Sequence, residues 1–451
     1  KGQMPRNEVL HVVFATVPMM GHLMPLIPMA EELLRRGHIV TVVHDAEPKY
    51  RAKLEQSGLS ACQSIVYDSN NDMYSCIRDH YSTKANSLPS IVVYDFFAAD
   101  AADAADYLGV PALGVFPNMA VTVNPWAASE KIRQTVAWKI WCNAVIPCLE
   151  GLLARALWLK RSMTRYSRKL PILSEQDVYP SPYLPKNRRM IGCTLPNFEF
   201  NAASQLDSDI FTMVGPAVPT IVEPISADMN EWLEEQTLQK RPIVYVAFGT
   251  MMKHTKESVQ SLQMELLESC GDNVAVIWSL RKNDQRHLDS SKIPQHWRVE
   301  AFCPQVALFQ TGKIQAFVTH CGSNSVYEAL LSGVPMVSCP HFADQPGNAV
   351  RLERLGVGVI AKKNGSSSGV ARALTELFDN IGGMQERAKS LAQVLNAGGG
   401  GSVRAASVIE QVAQHDFQTS PLWNHHERRR RISVWKLGVI AVAGAIGWCT
   451  L

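Results

Sequence analysis

Hydrophobic residues in this chain cluster in short continuous runs, each followed by a small or polar turn and then by a helical stretch. In the first half these runs are Val9–Val17, Ile39–Val43, Ser90–Asp95 and Ala112–Phe116. In the second they are Ile243–Phe248, Val274–Ser279, Ile314–Thr319 and Met336–Cys339. Rich in β-branched residues and without polar alternation, they predict strands buried on both faces, as in parallel sheets. Leu23–Arg36 has helical periodicity and stops at Gly37. Phe96–Tyr107 is an Ala-rich helix, and Val326–Leu331 opens another that Gly333 ends as a left-handed cap before Pro335. Strand and helix alternate in both halves, so the predicted fold class is α/β, with two doubly wound Rossmann-like domains.

Proline-rich, polar Pro216–Asp228 reads as the linker between a first domain at residues 1–215 and a second at 229–415. Gly398–Gly401 predicts a flexible break before a last helix from Ser402 to about His415. Residues 119–200 are the least regular. Trp126, Trp138, Trp141 and Trp158 alternate there with basic residues, which suits either core aromatics or a basic amphipathic surface.

Composition narrows the classes. Apolar residues make up 46% and charged residues 19%, enough for large cores and contrary to disorder. With 44 basic against 41 acidic residues there is no bulk signature of nucleic-acid binding. Ten cysteines show no CxxC pair, and His320-Cys321 has no second ligand pair at zinc spacing, so no metal site is read. In the tail, 416–451, Arg428–Arg431 precede the uncharged run Leu437–Leu451, which is shorter than the span of about 20 residues that crosses a bilayer. Basic residues before such a run point to a tail anchor holding the body on the cytoplasmic face. A buried terminal helix is the alternative.

The chemistry concentrates between Phe302 and Gln345. After the strand Ile314–Thr319, the turn His320-Cys321-Gly322-Ser323-Asn324-Ser325 leads into a helix, whose unpaired N–H groups and positive dipole end suit phosphate. His320 and Ser325 add side-chain donors. Glu328, one turn in, can accept from a ribose diol, while Asp344 and Gln345 suit sugar hydroxyls. Phosphate donors, a ribose acceptor and sugar acceptors in that order describe a nucleotide-sugar cradle. An ordinary βαβ unit with a Gly-Ser turn is the competing reading.

The elements PQ, FVTHCG-x-NS, E, GVP and FADQP-x-N in this stretch resemble the signature box of UDP-dependent glycosyltransferases, the inverting GT-B enzymes. The resemblance implies that His320 and the Gly322 amide hold the β-phosphate of UDP, and Asn324 and Ser325 the α-phosphate. Glu328, joined by Gln305, would bind the ribose, and Asp344 and Gln345 the transferred sugar. Gly249 and Thr250 would face the diphosphate, and Asn118 the donor sugar. Phe302 stands where the family usually stacks Trp on uracil, with Cys303 beside it in the donor site. Ser323 stands where plant members often carry Trp.

In the first domain, Pro18–Leu26 (PMMGHLMPL) resembles the family loop whose histidine is the general base, here His22. An imidazole titrating near neutrality at a strand end can take a proton from a hydroxyl. By the same resemblance Asp95 would hold and orient His22; read alone, it could simply cap the following helix. The implied activity is metal-independent, cofactor-free, inverting transfer of a hexose, glucose by family habit, from a UDP-sugar to a hydrophobic small-molecule hydroxyl. The alternative is a non-catalytic nucleotide-sugar-binding protein. A nicotinamide enzyme is disfavoured because no GxGxxG follows the first strand. The motif-like Asp207-Ser208-Asp209 lacks the apolar strand a metal-binding DxD needs and is discounted.

Overall fold

The computed structural model describes residues 8–415 except 61, 84–85, 118–158, 171–188, 195–210, 250–251, 253, 342–343 and 363–367. Asn118, Thr250, the four tryptophans at 126, 138, 141 and 158, the Asp207–Asp209 segment and the tail anchor lie outside the described residues.

The apolar runs become strands. The first sheet comprises β1 (His11–Ala15), β2 (Ile39–Asp45), β3 (Gln63–Tyr67), β4 (Ile91–Asp95), β5 (Ala112–Phe116), β6 (Met190–Gly192) and β7 (Phe211–Met213). The second comprises β8 (Ile243–Ala247), β9 (Ala275–Ser279), β10 (Trp297–Glu300), β11 (Ile314–Thr319), β12 (Met336–Ser338) and β13 (Gly358–Ile360). Their orders are β3-β2-β1-β4-β5-β6-β7 and β10-β9-β8-β11-β12-β13. Every described pairing is parallel. Val12, Val13 and Phe14 of β1, all of β4, and Phe317 and Val318 of β11 are buried, because helices cover both faces of each sheet.

Helices of the first half include α1 (Met20–Leu23), α2 (Leu26–Arg35), α3 (Pro48–Gln56), α4 (Met73–Ser82) and α5 (Ala99–Leu108). The second half carries α6 (Ala227–Leu238), α7 (Lys256–Cys270), α8 (Lys282–Gln285), α9 (Gln305–Gln310) and α10 (Ser323–Leu331). After these come α11 (Gln345–Arg354), α12 (Val370–Asp379), α13 (Ile381–Asn396) and α14 (Gly400–His415). No helix among the described residues is long and apolar enough to cross a membrane.

The structure refines three sequence expectations. Leu23–Arg36 is not one helix: Pro25 divides it, so His22 rides on the single turn α1 rather than on an open loop. Gly398–Gly401 does break the helical run, and it does so with a defined backbone. Gly398, Gly399 and Gly400 hold φ of +66°, +86° and +78°, a conformation glycine adopts without steric cost, and α14 begins at once. A Cβ on Gly401 would lie 2.2 Å from the Pro216 carbonyl oxygen, so the glycine run lets the chain pass against the linker backbone. The signature helix starts at Ser323, three residues before its first apolar position, because Gly322 is its N-cap.

The last helix crosses back to the first domain. Arg36 donates to the Glu410 carboxylate at 2.7 Å and to the Val403 carbonyl at 2.8 Å, and His38 Nε2 lies 2.9 Å from Glu410. On the other side of α2, Glu31 accepts from the Thr220 amide and hydroxyl at 3.1 and 2.8 Å, tying the linker down.

Candidate active site

In each sheet the strand order reverses direction between two central strands, β1 and β4 in the first and β8 and β11 in the second. Crevices at such switch points, outside the carboxyl ends of the strands, are where open α/β sheets bind ligands. His22 follows β1 and Asp95 ends β4; Gly249 follows β8 and His320 follows β11. Four residues chosen from sequence thus flank two switch points. The two sets meet where the Asn324 carboxamide, at the start of α10, donates to the Gly21 carbonyl at 3.3 Å.

His22 Nδ1 lies 2.7 Å from Asp95 Oδ2. The side chain of Asp95 is 1% exposed and that of His22 15%, so the pair sits at a wall with the imidazole on the open side. The other carboxylate oxygen, Oδ1, accepts the Phe97 amide at 2.9 Å. Asp95 thus bonds an amide of the turn and does not cap α5, whose N-cap is Ala98 without a side-chain cap; its second oxygen is the one that meets the histidine. Burial pushes the Asp95 carboxyl up, while the hydrogen bond and charge of His22 pull it back. Phe96 and Phe97, which the sequence reading passed over, place their rings 5.7 and 5.1 Å from the imidazole. Phe97 is 54% exposed and offers an apolar surface next to the histidine.

Across the cleft, the turn before α10 places its left-handed residue beside the glycine, not on it. The left-handed residue is Cys321, at φ +66°, whereas Gly322 has φ −62°. A non-glycine residue there costs about 1 kcal/mol, and buried partners hold it. Thr319 Oγ1 accepts the Cys321 amide at 3.2 Å, and Asn348 donates to the Cys321 carbonyl at 2.9 Å. Gly322 is needed for space instead: a Cβ there would lie 2.6 Å from His320 Nε2, and one on Gly249 2.8 Å from the same atom. The imidazole is lodged between two glycines. Burial pushes His320 down to about 4, so at neutral pH it is an uncharged ring beside the amides of the helix N-terminus.

Glu328, half-buried, accepts from Gln305 at 2.6 Å, which brings together the two residues expected at the ribose. Burial pushes its carboxyl up to about 7, with the Gln305 hydrogen bond opposing. Phe302 is 67% exposed, a ring face open to stacking. Cys303 differs: its side chain is buried, so only its main chain can face a ligand. Gln345 is buried and its Oε1 accepts the His341 amide at 2.9 Å. Asp344 Oδ2 accepts the Ser323 amide at 3.0 Å, the Ser323 hydroxyl at 2.6 Å and the Asn348 carboxamide at 2.9 Å. Asn348 closes the motif FADQP-x-N, yet nothing in its sequence context assigned it this link between turn and carboxylate.

Two parallel-sheet α/β domains with their strand ends facing one cleft define the GT-B fold. Known proteins agree. Residues 210–392 match the family model described as UDP-glucoronosyl and UDP-glucosyl transferase. UDP-glycosyltransferase 74C1 of Arabidopsis thaliana is 25% identical over 87% of this chain and 96% of its own length. Anthocyanidin 3-O-glucosyltransferase 1 of Fragaria ananassa is 37% identical over 32% of each chain. The crystal structure of the glycotransferase of kitacinnamycin superimposes with a TM-score of 0.65 at 23% identity, over 89% of this chain and 98% of that one. The chain is similar to UDP-dependent glycosyltransferases, and the family model and the relatives support an enzyme that moves a sugar from a UDP-sugar to a small-molecule acceptor.

Proposed function

We propose that the chain transfers a hexose, glucose first, from a UDP-sugar to a hydroxyl of a hydrophobic small molecule, with inversion and without a metal ion. The observation that carries this reading is the 2.7 Å contact between His22 Nδ1 and Asp95 Oδ2, facing the N-terminus of α10 across the cleft. With its Nδ1 proton held by Asp95, His22 presents Nε2 as an acceptor, the tautomer a general base requires. Nε2 takes the acceptor's proton as its oxygen attacks the anomeric carbon, and Asp95 stabilises the imidazolium. UDP departs on the opposite face, and the negative charge developing on it meets the N–H groups of α10, His320, Asn324 and Ser325. Glu328 and Gln305 hold the ribose, Phe302 stacks on the base, and Asp344 and Gln345 address the sugar. Gly249 and Thr250 complete the diphosphate side, and Asn118 contacts the donor sugar.

The exposed ring of Phe97 beside His22 supports an apolar, aromatic or polycyclic acceptor, and the relative named for anthocyanidins is in keeping with a phenolic one. Arg428–Arg431 ahead of Leu437–Leu451 favour a tail anchor on the cytoplasmic face, which alkaline extraction of the full chain from membranes would check. The test of the activity is UDP release from UDP-glucose, with a chelator present, across phenols, sterols and hydroxylated lipids. Acceptor-dependent release supports the reading. UDP binding with no turnover on any acceptor or donor would make the chain a nucleotide-sugar binder.

A further inference from the structure

The Asp344 carboxylate is held lopsidedly. Three donors converge on one oxygen, Oδ2: the Ser323 amide, the Ser323 hydroxyl and the Asn348 carboxamide. None of the three reaches Oδ1. Two of the donors come from a single residue, and Ser323 and Asn348 are both buried, at 5% and 1% exposure. Asn348 also donates to the Ser323 hydroxyl at 3.1 Å, which fixes the direction in which that hydroxyl can point its proton. Ser323 therefore has one acceptor for its O–H, Asp344 Oδ2, and one donor to its oxygen, Asn348. A short bond from a neutral hydroxyl to a carboxylate is among the stronger hydrogen bonds available to a protein.

We propose that Ser323 is a positioning residue for donor-sugar recognition. By saturating Oδ2, it turns the Asp344 carboxylate so that Oδ1 alone is presented to the transferred sugar. This inference rests on the reading of Asp344 as a sugar-binding residue. Ser323 then acts on the hexose only through Asp344. Its amide, the first of α10, donates to the same oxygen and is kept by any substitution, whereas the hydroxyl, the shorter of the two bonds, is removed by Ser323→Ala. Alanine is also the best helix former, and the substitution adds no atom to a buried site, so α10 itself is expected to persist.

The test compares UDP-glucose with UDP by equilibrium titration of the full chain, wild type against Ser323→Ala and Ser323→Thr. Ser323→Ala is expected to weaken UDP-glucose about tenfold, the scale of one lost hydrogen bond to a charged group. Binding of UDP should stay within about twofold, because UDP carries no hexose. Ser323→Thr, which keeps the hydroxyl, should retain the wild-type ratio of the two affinities. If Ser323→Ala weakened both ligands equally, the serine would be a structural part of the phosphate turn and the inference would be overturned. It is equally overturned if neither affinity moves, or if Thr loses the ratio as Ala does. A wild type that binds neither ligand would instead overturn the donor-site reading on which this inference stands.

Discussion

His22 and Asp95, 73 residues apart in the chain, meet at 2.7 Å because β1 and β4 are neighbours in the sheet. Asp95 divides its two oxygens between Phe97 N–H and His22 Nδ1. That division makes Asp95→Asn informative. The amide oxygen must accept Phe97 N–H, which leaves the NH₂ group facing Nδ1 and moves the ring proton to Nε2. Asp95→Asn should therefore lower kcat at least about 100-fold, more than Asp95→Ala, by installing the wrong tautomer. Steady-state rates of the two variants decide it, and equal losses would refute the tautomer argument.

The raised carboxyl of Glu328 predicts a pH-dependent stability. Its carboxyl is raised from 4.5 to about 7 in the folded chain, so the unfolded chain releases that proton first as pH rises. Its contribution to stability falls between about pH 4.5 and pH 7 and is level above that. Glu328→Gln removes this component. Thermal melting across pH 5 to about 8 should show the variant gaining on the wild type as pH rises. A constant difference would contradict the raised carboxyl. If the proposed ribose contact is right, Glu328→Gln will also weaken UDP about tenfold or more, read by titration at pH 8.

Gly322→Ala tests the lodging of His320. The added methyl would meet Nε2 at 2.6 Å without straining a backbone that sits at φ −62°. The ring is a movable side chain, so the expected cost lands on UDP binding rather than on melting temperature. In the His320→Ala background the same substitution should cost little, because the atom it strikes is gone. Strict additivity in this double-mutant cycle, measured as UDP affinity, would show that the two residues do not act through each other.

Arg36 gathers α2 and α14 by donating to Glu410 and Val403. Its side chain is 19% exposed, so the pairing is only partly screened by water. Arg36→Ala should lower stability by about 1–3 kcal/mol and increase protease cleavage before α14. Unchanged melting and cleavage would mean that the apolar face of α14 alone secures the return to the first domain.

The strands and their carboxyl-end residues were legible because a strand buried on both faces must read as a β-branched apolar run. Ile314–Thr319 and Ala112–Phe116 form with the limits read from the sequence. What escaped depends on side-chain contacts that no strand or helix pattern encodes. Cys321 takes the left-handed conformation next to an available glycine because Thr319 and Asn348, one of them 27 residues away, hold its amide and carbonyl. Gly322 is spent on clearance for His320, a requirement that no local turn rule contains. Likewise Phe97 looks like the first turn of a helix in sequence. The Asp95 carboxylate accepts its amide and α5 starts only at Ala99, which leaves the ring over His22.

The central claim is that His22 drives inverting transfer from a UDP-sugar. The most direct measurement follows α-linked UDP-glucose and a phenolic acceptor with wild type and His22→Ala, chelator present, and reads the anomeric configuration of the product by NMR. The account predicts a β-glucoside from the wild type, a loss of about 10²–10⁴-fold in rate for His22→Ala, and unchanged UDP affinity in the variant. An α-glucoside, or a β-glucoside formed by His22→Ala at the wild-type rate, would contradict it.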